Sequence, residues 1–302
     1  MVNEYANLYE NFAATSRAAW GEMMRSEPTR STKEGRFGFG ENWARYVELV
    51  DDERIATAEQ SLMDRLEVST LEGYRFLDVG SGSGLFSLAA RNLGAEVHSF
   101  DYDPASVGCT QTLKARYWPE DDKWQVEQGD ALNEGYLQGG LGTFDVVYSW
   151  GVLHHTGAMW QALGNMAPLV KREGYLFIAI YNDQGRQTRI WTHVKKTYNA
   201  LPARLRWLVL TPSFLCLWGP TIFRDIVRGC PFKTWRERKA NRGMSPWRDV
   251  VDWVGGWPFE VAKPEEIFRF FRGHGFELTK MKTCAGGLGC NEFVLRRSHD
   301  KD

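Results

Sequence analysis

Residues 73–185 alternate short apolar runs with longer stretches of helical periodicity. Apolar runs rich in Val, Phe and Tyr predict strands, whereas apolar residues at intervals of three or four predict helices. Strands that alternate with helices are typical of a parallel sheet with helices on both faces. The predicted strands are 74–80, 95–100, 124–128, 144–149 and 174–181, and the predicted helices are 85–94, 103–118 and 159–169.

The alternation stops after the fifth predicted strand and resumes at Pro264 with a helix, EEIFRFFRGHG, and two strands, FELTKMKT and NEFVLRR. The pattern predicts an α/β fold with a Rossmann-like, seven-stranded, mostly parallel sheet. We expect four parts: an N-terminal helical extension (1–72), a core (73–185), an inserted helical lid after strand five (186–258) and the completion of the sheet (259–302). The lid would lie at the carboxyl rim of the sheet, where open α/β folds bind ligands.

Composition is typical of a folded protein, with 43% apolar and 25% charged residues among 302. Thirteen tryptophans and seventeen phenylalanines predict broad aromatic packing or deep apolar pockets. The five cysteines form no CxxC pair, so neither a zinc knuckle nor a disulfide framework is predicted. The first twenty residues lack the basic and apolar blocks of a secretory signal, which favours a reducing cytoplasm.

Charge is unevenly distributed, although the net charge is only −1. Residues 186–248 contain fourteen Lys or Arg but only two acidic residues, Asp225 and Glu237. The same region includes the nearly uncharged stretch 207–223, which is interrupted by prolines and too short to span a membrane. This combination favours an anionic or lipophilic partner or peripheral contact with a membrane. Contact with RNA phosphates is a less favoured alternative. A solvated basic face over a helical lid, without a binding role, is an equally open interpretation.

The sequence FLDVGSGSG, residues 76–84, takes a predicted strand directly into three glycines, Gly80, Gly82 and Gly84. Glycine is needed where a backbone turns sharply and a ligand lies against its peptide groups, and the following helix offers unpaired N–H donors. Asp101 ends the next predicted strand, where its carboxylate can accept hydrogen bonds from ribose hydroxyls. A dinucleotide site would require GxGxxG, but Leu85 stands where that third glycine belongs.

These motifs resemble those of the class I S-adenosylmethionine (SAM)-dependent methyltransferases, particularly the branch of the ubiquinone and menaquinone biosynthesis methyltransferases. FLDVGSGSG resembles their first motif, SFDYDP the acidic second motif, EQGDA (127–131) the adenine-binding motif and FDVVYSWGVLHH the segment after strand four. The motifs keep the family's order over about 74–182 and, more loosely, 259–297. The resemblance implies methyl transfer from SAM to oxygen or nitrogen of a small or lipophilic acceptor, with S-adenosylhomocysteine as product. An RNA methyltransferase and a non-catalytic SAM-binding protein are the alternatives.

The resemblance also implies the residues that hold the cofactor. The glycine bend would pass under the methionine part of SAM, Asp101 would bind the ribose, and Tyr102 would lie against the adenine. Asp130 and the N–H of Ala131 would read the adenine edge. Tyr102 as a surface aromatic and Asp130 as a turn former are the alternatives. The implied cofactor-binding residues are Asp78, Gly80, Ser81, Gly82, Gly84, Asp101, Tyr102, Asp130, Ala131, Ser149 and Trp150.

Two adjacent histidines, His154 and His155, follow the fourth predicted strand. Adjacent side chains point in different directions and no other ligand is suitably spaced, so no metal site is predicted. Either imidazole could act as a general base, and the alternative is that both pack against the core and shape the substrate site.

Residues near the predicted carboxyl rim are candidates for binding the acceptor. They are Tyr181, Asn182, Asp249, Trp253 and Asn291, with Asp252 and Glu260 in the same irregular Trp-rich and Gly-rich stretch, 242–260. In related methyltransferases an N-terminal segment closes over the cofactor. Phe37, Phe39 and Trp43 could serve that role or could pack the extension against the sheet.

Overall fold

A computed structural model describes residues 37–242 and 246–298. Residues 1–36 of the predicted N-terminal extension (1–72) therefore lie outside the described residues. The chain divides into two compact units. The larger, which we call the sheet unit, contains described residues 38–190 and 258–298. The smaller, which we call the helical unit, contains Phe37 and the described residues of 191–257.

Seven strands form one sheet in the order β3-β2-β1-β4-β5-β7-β6. The first five strands pair in parallel, whereas β7 runs antiparallel to both β5 and β6. The prediction of a seven-stranded, mostly parallel sheet is therefore confirmed. The strands are β1 (Arg75–Val79), β2 (Glu96–Asp101), β3 (Trp124–Gln128), β4 (Phe144–Trp150), β5 (Val170–Tyr181), β6 (Phe276–Lys282) and β7 (Cys290–Arg297).

Some of the helices pack against the sheet, and others form the helical unit. The described helices are α1 (Gly40–Val47), α2 (Asp52–Leu66), α3 (Leu85–Asn92), α4 (Pro104–Tyr117), α5 (Glu134–Gly140), α6 (Met159–Met166), α7 (Arg186–Ala200), α8 (Trp207–Val227), α9 (Lys233–Arg242), α10 (Pro246–Gly255) and α11 (Pro264–Gly273). The pattern did not predict α5, because three of its seven residues are glycine. The Asn133 side chain accepts a hydrogen bond from Tyr136 N at 3.1 Å and thereby caps the start of α5.

Strand β1 shows why this sheet is buried on both faces. Successive side chains of a strand point to opposite faces. Phe76 packs in a cluster with Leu62 of α2, whereas Leu77 packs in a second cluster with Leu163 of α6 and Phe271 of α11. Because both faces are covered, a ligand can reach the backbone of this strand only at its ends.

Tryptophan and phenylalanine rings fill the interior of the helical unit. The ring centroids of Trp218 and Trp235 lie 4.8 Å apart, and those of Phe214 and Trp247 lie 5.6 Å apart. The many aromatic residues of the sequence thus serve packing here, which is one of the two roles expected of them; the other was to line deep apolar pockets.

The stretch 242–260, which is irregular in composition, contains a helix that the sequence analysis did not predict. Residues Pro246–Gly255 form α10. Trp247, Val250 and Val254 recur at helical intervals and are buried, so an amphipathic face organises this segment despite its glycines and acids.

From the sequence, the apolar stretch 207–223 was expected to be interrupted by its two prolines, but helix α8 continues through both of them. A proline removes the N–H that would bond to the carbonyl four residues earlier. Those carbonyls belong to Leu208 and Cys216, which are exposed, so water can satisfy them. Among the described residues, no helix has the length and apolar content needed to cross a membrane.

Candidate functional site

The loop between β1 and α3 bends through three glycines with positive φ: Gly80 (76°), Gly82 (56°) and Gly84 (81°). A Cβ atom at Gly80 would lie 2.4 Å from Val152 Cγ1, and one at Gly84 would lie 2.9 Å from Thr110 Cα. Conformation and space therefore both require glycine at these two positions. The loop leaves bare backbone at the start of α3.

Asp101 lies at the end of β2 and joins the glycine loop. Gly82 N donates to Asp101 Oδ2 at 3.0 Å, and Asp103 N donates to Asp101 Oδ1 at 2.9 Å. Each carboxylate oxygen has a second lone pair that can accept a further hydrogen bond. Burial raises the pKa of Asp101 to about 6, although the backbone N–H groups oppose that change.

Asp78 is buried beneath the loop and heads a chain of hydrogen bonds. Ser87 Oγ donates to Asp78 Oδ2 at 2.5 Å, Ser99 Oγ donates to Ser87 Oγ at 2.8 Å, and Trp124 Nε1 donates to Ser99 Oγ at 2.9 Å. Burial raises the pKa of Asp78 to about 7, and the charge of Asp101 adds to this effect. The chain ties β1 to α3, β2 and β3, so Asp78 fixes the base of the loop.

Helix α1 lies beside the glycine loop. A Cβ atom at Gly82 would lie 3.1 Å from Trp43 Cε2, so the Trp43 indole is next to the loop backbone. The Phe39 ring centroid lies 5.1 Å from that of His155. Phe37, the third aromatic residue of the predicted closing segment, belongs to the helical unit, where its N–H donates to Trp257 O at 2.9 Å. Closure over a cofactor stays a prediction.

The implied adenine-binding residues follow the ends of β2 and β3, which pair at Asp101 and Gln128. Gln128 Nε2 donates to Tyr102 O at 3.1 Å. Asp130 Oδ1 accepts from Leu132 N at 2.9 Å, which orders the turn after β3, and Ala131 is buried. These residues are thus brought to one edge of the sheet.

Ser149 and Trp150 end β4 and differ in exposure. Ser149 is fully buried and donates through Oγ to Val79 O at 3.0 Å. Trp150 has 46% of its surface exposed. Their predicted place beside the sulfonium stays a prediction, and of the two side chains only the indole is available to a ligand at the surface.

The two histidines form a single turn, Leu153–His155, directly after β4. The His154 side chain is fully buried, and its ring centroid lies 3.9 Å from that of Tyr181. His155 Nδ1 donates to Pro258 O at 2.6 Å, because a carbonyl oxygen can only accept. A neutral His155 therefore has its lone pair on Nε2, which is the form that a general base requires.

Glu260 joins this turn to the start of α6. Its N–H donates to His154 O at 3.0 Å, and its carboxylate Oε2 accepts from Met159 N at 3.0 Å. Burial raises the pKa of Glu260. The Glu260 carboxylate thus caps α6 and holds the turn in place.

Three of the five candidate acceptor-binding residues, Tyr181, Asn182 and Asn291, lie in the sheet unit. Asn291 is buried and donates through Nδ2 to Asn182 Oδ1 at 3.0 Å, and Asn182 follows Tyr181 at the end of β5. The other two, Asp249 and Trp253, belong to α10 of the helical unit. No group of three or more His, Cys, Asp or Glu side chains within 37–242 and 246–298 is placed to hold a metal ion.

Residues 77–176 match the family described as a methyltransferase domain. This range contains the glycine loop, Asp101, Asp130 and the histidine turn. This match supports a class I SAM-dependent methyltransferase domain over these residues. The resemblance inferred from the motifs is thereby confirmed.

Curated relatives of this methyltransferase domain include two ubiquinone biosynthesis O-methyltransferases. The one from Caulobacter vibrioides is 31% identical over 111 residues, which cover 37% of this chain and 42% of the relative. The one from Rhizobium johnstonii is 29% identical over 130 residues, covering 43% of this chain and 50% of the relative. The chain thus spans half or less of the length of these relatives.

The likeness in fold extends beyond residues 77–176. An O-methyltransferase family protein from Burkholderia thailandensis has a solved structure that aligns with 96% of this chain and 71% of its own, with a TM-score of 0.51 and 14% identity. At this identity the likeness concerns the fold alone.

Several residues that shape the methyltransferase loop were not identified from the sequence. Val152 and Thr110 limit the space around the glycines, and Thr110 Oγ1 lies 2.9 Å from Ser81 Oγ. These contacts join elements distant in sequence, so no local pattern marks them. Ser87 did carry a signal, since it is the polar residue within the apolar run 85–90 at the start of α3.

Proposed function

We propose that the sheet unit binds SAM at the glycine loop and that the chain transfers its methyl group to an oxygen atom of a small or lipophilic acceptor. The contact from Gly82 N to Asp101 Oδ2 at 3.0 Å supports this most directly, because it brings a carboxylate to a bare backbone bend. The names of the two ubiquinone biosynthesis O-methyltransferases favour oxygen over nitrogen.

The residues present fit an adenosyl ligand. The positive-φ glycines leave backbone open to the methionine part, and the Asp101 carboxylate can accept hydrogen bonds from both ribose hydroxyls. Tyr102 would lie against the adenine ring, and Asp130 with Ala131 N would contact its edge. Trp43 lies against Gly82 and would cover the ligand from the side of α1.

SAM, when bound, supplies an electrophilic methyl group on a positively charged sulfur atom. The protein's main task is then to hold the acceptor oxygen in line with that methyl group and to exclude water. We assign His155 Nε2 as the atom that takes the proton from the acceptor hydroxyl, since Nδ1 is engaged by Pro258 O. Tyr181, Asn182 and Asn291 are the proposed acceptor contacts of the sheet unit.

Calorimetry with SAM tests the cofactor site. The Asp101→Ala variant should bind SAM about tenfold more weakly or worse, because it loses a charge-assisted hydrogen-bond acceptor. Asp64→Ala, on the exposed surface of α2, is the matched control and should bind as the unchanged protein does. Equal affinity of the Asp101 variant and the unchanged protein would overturn the site.

Methyl-labelled SAM tests the reaction. The protein is incubated with a cell extract that is then separated into lipid, polar small-molecule and RNA fractions. We expect label in the lipid or the polar small-molecule fraction. Label in RNA would favour the RNA methyltransferase, and SAM binding without labelling of any fraction would favour a non-catalytic SAM-binding protein.

A further inference from the structure

Helix α8 of the helical unit exposes large apolar side chains along its length. Leu215, Phe223 and Val227 are 61%, 68% and 70% exposed. Together with Leu208 and Ile226, which are also exposed, they form a surface that we call the apolar stripe. Exposed apolar residues scattered singly are ordinary, but a continuous row along one helix marks an interaction surface.

The apolar stripe is one face of the helix. At about 100° per residue, the five members of the apolar stripe fall within a sector of about 120°. Residues 208–223 contain no charged residue. The opposite face is apolar as well, but there Phe214 and Trp218 pack against other rings of the helical unit. Within the described part of the chain, one face of α8 is therefore packed and the other faces solvent.

Basic residues stand at both ends of the apolar stripe. Arg204 precedes the helix, Arg224 is in its last turn and Arg228 follows it, and all three side chains are exposed. Asp225, beside them, is buried and partly balances Arg224: its Oδ1 lies 4.0 Å from Arg224 Nε, and its Oδ2 accepts a hydrogen bond from Thr234 N at 2.8 Å. Residues 191–257 together contain twelve Lys or Arg and four Asp or Glu.

We infer that the apolar stripe binds the surface of an anionic lipid bilayer, with α8 lying parallel to it. Apolar side chains that enter the acyl boundary, flanked by arginines that reach phosphate headgroups, are the features of an interfacial helix. The packed opposite face keeps α8 attached to the helical unit, so the helix lies on the bilayer and does not cross it.

The charge distribution favours a bilayer over a second copy of the chain. If two stripes paired in antiparallel orientation, Arg224 and Arg228 of one copy would approach Arg204 of the other. Like charges at an interface are costly. Anionic headgroups instead complement arginines at both ends. The inference does not depend on the proposed methyl transfer.

Vesicle flotation with the full chain tests the inference. Vesicles of phosphatidylcholine alone are compared with vesicles of equal parts phosphatidylcholine and phosphatidylglycerol. We expect about tenfold tighter binding, or more, to the anionic vesicles, and weaker binding as salt is raised. Replacing both Arg204 and Arg228 by Gln should reduce the anionic affinity about fivefold for each charge removed.

A double variant, Leu215→Ser with Phe223→Ser, removes the centre of the apolar stripe. Its binding to anionic vesicles should fall about tenfold or more, since both side chains would otherwise be buried in the bilayer. Met281→Ser is the matched control, because Met281 is an exposed apolar residue on β6 of the sheet unit. This variant should bind the anionic vesicles as the unchanged protein does.

Equal binding of the double variant and the unchanged protein would overturn the inference, as would absence of binding to anionic vesicles. Sedimentation gives a further test. If the unchanged protein were a dimer and the double variant a monomer, the apolar stripe would be a dimer interface, and the inference would be overturned. Hydrogen exchange of the unchanged protein gives a second measurement that needs no variant. Anionic vesicles should slow exchange in α8 peptides, and unaltered exchange there would contradict the inference.

Discussion

The pKa of Asp101 predicts how SAM affinity depends on pH. Burial raises this pKa to about 6, and the carboxylate already accepts hydrogen bonds from Gly82 N and Asp103 N. Ribose hydroxyls would donate to the same carboxylate, so SAM should bind the ionised form. We expect SAM affinity to be constant well above pH 6 and to fall about tenfold per pH unit below it.

Asp101→Asn removes the titrating group and changes the local hydrogen bonds. The amide keeps one acceptor oxygen but turns an NH₂ group toward one of the two backbone N–H donors. Loss of a hydrogen bond to a charged group costs about 1.5–3 kcal/mol. Since about 1.4 kcal/mol is a factor of ten, SAM should bind about ten to a hundred times more weakly at pH 8.

Calorimetry of SAM binding at pH 8, 7, 6 and 5 checks both expectations. The affinities of the unchanged protein and the Asp101→Asn variant should converge as the pH falls, because the native carboxylate becomes protonated. An Asp64→Asn control should keep the full pH dependence. If Asp101→Asn kept the same dependence, or bound SAM with unchanged affinity at pH 8, the assignment of Asp101 would be refuted.

Four further predictions follow from particular side chains. Burial raises the pKa of Asp78 from 3.8 to about 7, so the native state holds this proton more tightly than the unfolded state does. The free energy of unfolding should therefore fall as the pH rises from about 4 to about 7, by at most about 1.4 kcal/mol per pH unit. Urea unfolding of the Asp78→Asn variant should not show this fall. Burial lowers the pKa of Lys195 from 10.5 to about 7, so stability should rise with pH between 7 and 10, and the same slope measured for Lys195→Met should be flatter. Gly84→Ala should destabilise the protein by about 2 kcal/mol or more in urea, because φ is positive and the new Cβ atom would meet Thr110 Cα, whereas an unchanged midpoint would contradict the loop geometry. His155→Gln should lower kcat about a hundredfold while SAM affinity, measured by calorimetry, changes little, and equal losses in both would indicate a structural role.

The sheet was predictable because its signal is local. The central strands β1, β4 and β5 are buried on both faces and read as apolar runs, whereas the edge strand β3 (WQVEQ) alternates apolar and polar residues. Helix α10 was missed because its buried positions, Trp247, Val250 and Val254, are interspersed with acids and followed by two glycines. The helical spacing of these three residues is present in the sequence, but the acids and glycines around them are more typical of a loop.

The meeting of the glycine loop with Asp101 was predictable for a related reason. Parallel strands end at the same edge of a sheet, so a glycine bend after β1 and a carboxylate after β2 meet by topology alone. The tautomer of His155 was not predictable, because it depends on a carbonyl 103 residues away, at Pro258. Likewise, the candidate acceptor-binding residues divide between two units, with Asn291 in the sheet unit and Trp253 in the helical unit.

Two neighbouring carboxyl groups thus acquire different properties from their surroundings. Asp78 receives its hydrogen bond from Ser87 inside the fold, and burial together with the charge of Asp101 raises its pKa to about 7. Asp101 receives two backbone N–H groups at the edge of the sheet, and its pKa rises less, to about 6. The carboxylate of Asp101, held by the N–H groups of Gly82 and Asp103 at the edge of the sheet, is therefore the one that the proposed ribose hydroxyls would meet.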